Sequence, residues 1–514
     1  MHHVLLIDEI LRSVFAHVDD DANRNAVLDA FARLAVVCRA WKDPALDVLW
    51  ESLSSMDPLF ALLPSVSRSS DSFTIADAPS PAVLANFYAH ASRVRSVQYS
   101  ARLSPRIPPT LLSHLALGGP FILPSLASVR LNLSDPLKRA LPAPLFLSPN
   151  LRTLSIDIGF GRKAATTHPG ESLCAYVDAV ARLAPSLHHL SLRGRVGERV
   201  LDTVATLRGL RTLSLCVGAD MSPRTLAAVG EFPQLKGLRV QLDGMDVDEL
   251  HDALDGSERF AALERLEVRG APAALEALIA CFPTGGSHLK TVELESDLKP
   301  RSVDSWTTVF ALLADKAADS LQALTVESHT SFCEMPDLAQ PPKLHFTLGT
   351  LAPLAKVAGL RRFALDASIP ADVNDADLAT VARWWPAIEH LGLWTRPVEA
   401  FDYPTYFTMQ PRATLASLPV FAQLCPALRV LSVPMDVAAV PAAVHPPMAA
   451  ASQSTLDALT VGCARKGDGV DVDGLAEYLY RAFPSVREID FDCGEETSWG
   501  DVSDAYRRLQ ARLL

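Results

Sequence analysis

A few stretches of this 514-residue chain hold residue types that could do chemistry. "GCARKG", from Gly462 to Gly467, has the spacing of a loop whose backbone N–H groups cradle phosphate. Such a loop needs a following lysine to reach the terminal phosphates. Asp468 stands there instead, so no nucleotide site is expected. His188-His189 could begin a metal site, but no partner ligands lie at a matching spacing, and a surface histidine is expected. Cys216 would be reactive only with a depressed thiol pKa, and nothing near it in sequence supplies one. The chain has no G-x-S-x-G, H-E-x-x-H or G-x-G-x-x-G. No catalytic centre, cofactor or metal is therefore expected, and the search turns to side chains that bind.

Those side chains need a frame, and the sequence repeats one. The template L-x-x-L-x-L appears as "LASVRL" from Leu126, "LRTLSI" from Leu151, "LHHLSL" from Leu187 and "LRTLSL" from Leu210. It continues from Leu235, Leu263, Leu289, Leu321, Leu360, Ile388, Leu428, Leu456 and Val486, thirteen copies in all, with "VRSVQY" from Val94 a doubtful further one. Most steps match the 20–29 residues of a leucine-rich repeat, and the longer ones carry insertions. Proline stands two residues ahead of seven copies, at 124, 149, 185, 233, 386, 426 and 484. Proline removes a donor and biases the preceding residue away from helix, so it closes one element before an extended one. Between copies lie helix-period segments such as "SPRTLAAVGEF", with Ser222 as N-cap and Pro223 as first helical residue. The apolar faces of such units are buried only by stacking. The fold expected is α/β: a solenoid of leucine-rich repeats over 93–514, parallel strands inside and helices outside, closed by an amphipathic helix at the C-terminus.

Strand alternation then assigns faces. The fourth and sixth template positions point into the core, while the third, fifth and seventh face the concave side. Those positions hold Arg193, Arg239, Arg265, Glu267 and Arg269, then Glu293, Glu295 and Glu327, and finally Glu488, Asp490 and Asp492. A basic stretch followed by acidic ones is expected. Arg193, Arg239, Arg265 and Arg269 are the candidates to receive an acidic or phosphorylated partner segment, with Trp394 as an apolar anchor.

The first 55 residues have another pattern. Three helices are expected, at about Asp8–Val18, Asn25–Trp41 and from an Asp43 N-cap through Leu53, with residues 56–92 as a helical linker to the repeats. Leu46, Leu49, Trp50 and Leu53 form one stripe. The unit is too small to hold together unaided, and its apolar residues exceed what its own core needs. "LIDEILRSVF" and "LAVVCRAWKDPALDVLWESL" resemble an F-box, closest to the fungal F-box proteins that carry leucine-rich repeats. The match rests on Leu6, Glu9-Ile10-Leu11, Phe15, Val37-Cys38-Arg39, Trp41 and Leu49-Trp50, and Ile7 stands where the family usually has proline. The resemblance implies a non-catalytic substrate receptor of an SCF-type ubiquitin ligase. Its adaptor, which links to the cullin scaffold, would contact Leu6, Ile7, Ile10, Leu11, Phe15, Trp41 and Trp50, with Cys38 and Leu49 in the small core. The repeats would hold the target protein. The rival reading is an interaction scaffold whose F-box-like head only caps the solenoid.

Composition agrees with a binding protein. The chain is 49% hydrophobic and 21% charged, with a formal net charge of −12. Acidic balance without Lys/Arg runs argues against nucleic acid. Eight cysteines show neither C-x-x-C nor zinc spacing, as expected of reduced cysteines in a cytoplasmic or nuclear protein. The N-terminus does not read as a signal peptide, and prolines and glycines interrupt the uncharged stretch 107–129, so no membrane segment is expected.

Overall fold

The computed structural model describes residues 7–17, 24–133, 141–160, 169–218, 221–256, 258–296, 303–328, 345–367, 370–393, 411–437, 439–441, 455–462, 471–492 and 499–511. The chain divides into two compact units, Met1–Leu235 and Lys236–Leu514. Each is a run of parallel strands with helices between them, an α/β solenoid of the leucine-rich-repeat type.

All thirteen template copies form strands, and so does the doubtful one at Val94. In the first unit the ladder runs Ser52–Leu53, Ser96–Ser100, Ser128–Asn132, Thr153–Gly159, His189–Gly194 and Thr212–Cys216, every pair parallel. In the second it begins Gly237–Gln241, Arg265–Arg269, Thr291–Ser296, Ala323–Ser328 and Arg362–Ala367. It ends His390–Gly392, Val430–Pro434, Ala458–Gly462 and Glu488–Asp492. Equal template positions lie opposite one another: Leu190 pairs Leu213, and Leu266 pairs Leu238 and Val292. All of these side chains are buried. Each buried Leu or Val contributes about 1.5–3 kcal/mol, so slipping one strand by one residue would forfeit two or three such contributions.

The helices form for the reasons the sequence offers. Ser222 accepts from the backbone N–H of Thr225, and the helix runs Pro223–Val229. Pro272–Ala280 buries Leu275, Leu278 and Ile279. Val472–Ala482 buries Leu475 and Leu479 after an Asp471 cap. The last helix, Trp499–Ala511, packs through Val502 and Tyr506. Tyr506 donates to the carbonyl of Phe483, and Gln510 Nε2 donates to those of Pro484 and Val486, at 3.0 and 2.9 Å.

The head differs from expectation in where its helices break. They span Asp8–Ala16, Arg24–Leu34 and Arg39–Glu51. The interruption falls at 35–37, and Pro44 lies inside the third helix rather than opening it. The N–H groups of Trp41 and Lys42 both donate to the Cys38 carbonyl, so one tight turn is complete before Pro44 arrives with no donor to offer. The segment 56–92 is also more than a helical linker. It holds the helices Asp57–Phe60 and Pro81–Ala91 and an antiparallel hairpin of Val66–Arg68 with Phe73–Ile75. The ladder starts ahead of it: Ser52–Leu53 continues directly from the third head helix and pairs with Ser96 and Val97.

Candidate interaction surfaces

The head packs around Leu11, Phe15, Phe31 and Ala45, with Val27, Leu34, Ala35, Trp41, Val48 and Leu49 against them. Phe15 meets Phe31 and Trp41 edge-on, at 5.2 and 6.0 Å between ring centroids. Three of the seven proposed adaptor contacts are therefore engaged in this small core. Leu11 and Phe15 are buried outright and Trp41 in part, because a bundle this small needs its largest side chains inside. Leu49 packs as expected, whereas Cys38 is half-buried at the N-cap of the third helix, outside the core cluster. Trp50 is half-buried against His90, 4.9 Å between centroids, and Ile10 is half-buried. Leu6 lies outside the described residues. The apolar surface left open is formed by Ile7, Val14, Val36 and Val37, with Val36 84% exposed.

A chain of charges binds the head to the segment after it. Arg12 donates to Asp8 and to Asp47. The other oxygen of Asp47 accepts from Arg93, whose second nitrogen reaches Asp43 Oδ1 at 2.6 Å. The backbone N–H of Arg95 donates to the Glu51 carbonyl at 2.8 Å.

On the helix-free face of the second unit, the arginines lie where strand alternation puts them, opposite the core, with Arg239 and Arg265 exposed and Arg269 half-buried. They do not form one row. The parallel register aligns Arg239 with Glu267, Arg265 with Gly237 and Thr291, and Arg269 with Gln241 and Glu295. The three occupy the fifth, third and seventh template positions, and unlike positions never stand opposite each other. Arg239 Nε pairs with Glu267 at 2.9 Å, while Arg269 bridges Asp243 and Glu295, both at 3.1 Å. An acidic segment would have to displace these carboxylates. The acidic side chains stand side by side: Glu267 with Glu293, Glu295 with Glu327, and Glu327 with Asp366. Burial raises the Glu267 pKa, opposed by Arg239 and reinforced by the negative charges of Glu293, Glu295 and Glu327.

The first unit's open face is of another kind. Its rows read Ser128, Thr153, His189, Thr212; then Arg130, Ser155, Ser191, Ser214; then Asn132, Asp157, Arg193, Cys216. Arg193 pairs with Asp157 at 2.9 Å and its guanidinium lies 5.5 Å from the centre of the half-exposed Phe160 ring. Here the ladder shifts register between Asp157 and Gly159. Gly194 has a φ of +105°, and a Cβ there would sit 2.3 Å from the Gly159 carbonyl. Only glycine fits. His189 is exposed and His188 half-buried, and Trp385 is buried with its N–H on the Leu354 carbonyl at 3.3 Å. Trp394 lies outside the described residues. Among the described residues no group of His, Cys, Asp or Glu is placed to hold a metal, and no helix is long and apolar enough to cross a membrane.

One row is not marked by the leucine template. The second template position enters the strand, and its carbonyl accepts two N–H groups from the next copy. In the second unit this row reads Lys236, Glu264, Lys290, Gln322, Arg361, Glu389, Arg429, Asp457, Arg487, nearly perfect alternation of sign. The pairs form: Lys236–Glu264 at 2.8 Å, Glu264–Lys290 at 2.9 Å, Arg361–Glu389 at 3.0 Å and Arg429–Asp457 at 2.7 Å. Hydrogen bonds from Lys236 and Lys290 pull the Glu264 carboxyl down to about 2. In the first unit the same row reads Glu51, Arg95, Ala127, Arg152, His188, Arg211, and holds no acid after Glu51. Reading the template column by column, rather than for its leucines, would have found both.

No family model matches the chain, and no curated protein matches it. Among solved structures, a chain of the crystal structure described as the Rad7 and Elc1 complex in yeast is similar at a TM-score of 0.32 and 14% identity, over 77% of this chain and 91% of that one. A likeness that loose transfers nothing from that complex to this chain.

Proposed function

We propose that the chain is a non-catalytic receptor: its head docks onto the adaptor of an SCF-type ubiquitin ligase, and its repeats hold the protein to be modified, in the cytoplasm or nucleus. The observation that carries this reading is that the head, once its core is filled, leaves Ile7, Val14, Val36 and Val37 exposed among its F-box-like residues. Exposed apolar groups gathered on one small unit mark a docking surface. The target would meet the open strand faces, where Arg193, Arg239, Arg265 and Arg269 remain the proposed contacts and Trp394 the proposed anchor.

The second reading, a scaffold whose head only caps the repeats, is favoured by Ser52–Leu53 and the Arg93 bridge, which join the head to the ladder as a cap would be joined. Affinity capture of the full chain separates them. A receptor retains adaptor and cullin, and Val36→Asp with Val37→Asp releases both while the fold is unchanged by circular dichroism. Absence of adaptor and cullin from the unaltered chain supports the cap.

A further inference from the structure

The same template position carries opposite electrostatic designs in the two units, and the second unit serves as the control for the first. There, alternating signs neutralise the row through ion pairs on adjacent strands. In the first unit, Arg152, His188 and Arg211 stand in succession on adjacent strands, each backbone bonded to the last, with Arg95 two strands earlier. Arg95, Arg152 and Arg211 are exposed, and none makes an ion pair among the described residues. The arginines stand on alternate strands, about 10 Å apart and near the Debye length of about 8 Å at physiological salt, so their mutual repulsion is weak, but no carboxylate on the strands between Arg95 and Arg211 in this row neutralises them. The fold does not require them, because the same position accepts Ala127 in this unit and Glu264, Gln322, Glu389 or Asp457 in the other.

We infer that the Arg152–His188–Arg211 strip is a docking surface for an acidic segment of a protein partner. The choice of occupant rests on charge complementarity. The strip spans two strand spacings, about 10 Å, and an extended segment carrying a carboxylate every second residue, about 7 Å apart, places two of them along it. Arginine receives carboxylates in bidentate pairs. Nucleic acid is the poorer fit, since two arginines flanking a histidine stand in a chain of net charge −12. The inference does not depend on the head docking to an adaptor.

His188 gives the strip a proton dependence. Burial lowers its pKa, and Arg211, His189 and Arg152, the charged groups that face it, lower it further. An anion lying along the strip reverses that balance and favours the protonated ring.

The test is fluorescence anisotropy of the full chain with a labelled peptide of alternating glutamate and serine, beside an alternating lysine–serine peptide and an oligothymidine. The acidic peptide is expected to bind in a salt-dependent manner. Arg152→Glu with Arg211→Glu should weaken it at least about tenfold, the factor supplied by one charge-assisted contact. Arg102→Glu with Arg199→Glu, which changes the net charge equally at exposed sites elsewhere, should leave it within about twofold. Arg152→Gln with Arg211→Gln repeats the test without introducing new charge. Affinity should also rise from about pH 7.5 to about pH 6, and His188→Gln should abolish the rise. Equal loss in both double variants, undiminished binding by the strip variants, or oligothymidine binding that depends on the strip as strongly as the peptide does would overturn the proposal. A wild-type affinity that does not change with pH would remove His188 from the strip.

Discussion

The first unit lines much of its open face with serine, threonine and asparagine and leaves its strand-entry row basic after Glu51, whereas the second crowds the open face of its strands from Gly237 to Ser328 with charge and balances its entry row sign by sign. Beneath both faces lies one architecture, with a buried residue at the fourth and sixth positions of every described copy from Leu126 to Leu456. Core positions tolerate little because they are packed, while rows facing water can diverge at a cost of tenths of a kilocalorie. The second unit pairs its entry-row cations with carboxylates on the next strand, and the first unit leaves Arg152 and Arg211 without them.

The comparison breaks first if the cores differ. Leu213→Ala and Leu266→Ala, equivalent positions in the two units, should each cost about 2–5 kcal/mol in urea unfolding. A loss below about 0.5 kcal/mol at either would mean the register assigned to that unit is wrong. Next comes the register shift of the first unit. Gly194→Ala should destabilise by more than about 1 kcal/mol, because alanine is strained at that positive φ and its Cβ meets the Gly159 carbonyl; a thermal midpoint unchanged within error would contradict the close approach.

Smaller effects sharpen the contrast between entry rows. His188→Glu gives the first unit the alternation of the second and should stabilise it by about 0.2–1 kcal/mol at low salt, fading as salt rises. Glu264→Gln should act the opposite way, with the same salt dependence. Acid separates the two rows by window. The lowered His188 pKa means that the unfolded chain binds the proton better, so its contribution is full above about 6.5 and lost as pH falls through the lowered folded value. The Glu264 contribution is full above its unfolded value of about 4.5 and lost only as pH falls towards about 2. Stability differences between wild type and each single variant, measured across pH, should show one loss in each window. A loss for His188→Gln in the lower window alone would reverse the assignment.

Much of this architecture is legible in the amino-acid order. Leu213 and Leu215 point inward because a strand alternates, and Ser222-Pro223 opens a helix because a side-chain oxygen and a fixed φ suit that position. The open-face arginines are assigned to the right face by the template but joined in the wrong way. Template spacing gives each residue's position within its strand, while contact depends on the parallel register that pairs equal positions. The head break is misplaced for a local reason, since Asp43-Pro44 looks like a helix start until the turn at Cys38 has already formed. Leu11 and Phe15 look available among the apolar residues of the head, and only packing shows that the core has taken them.

The two-residue strand Ser52–Leu53 has a consequence for how the chain can be cut. It covers Ser96 and Val97 on one side of the next strand, and the helix leading into it is pinned by Arg93. A fragment started at residue 93, where the repeats begin by sequence, would bare Ser96–Ser100 along its whole length, and an unpaired strand edge invites pairing with other chains. Such a fragment should self-associate more than the full chain at equal concentration, read by light scattering, and the head would then guard a sheet edge against polymerisation.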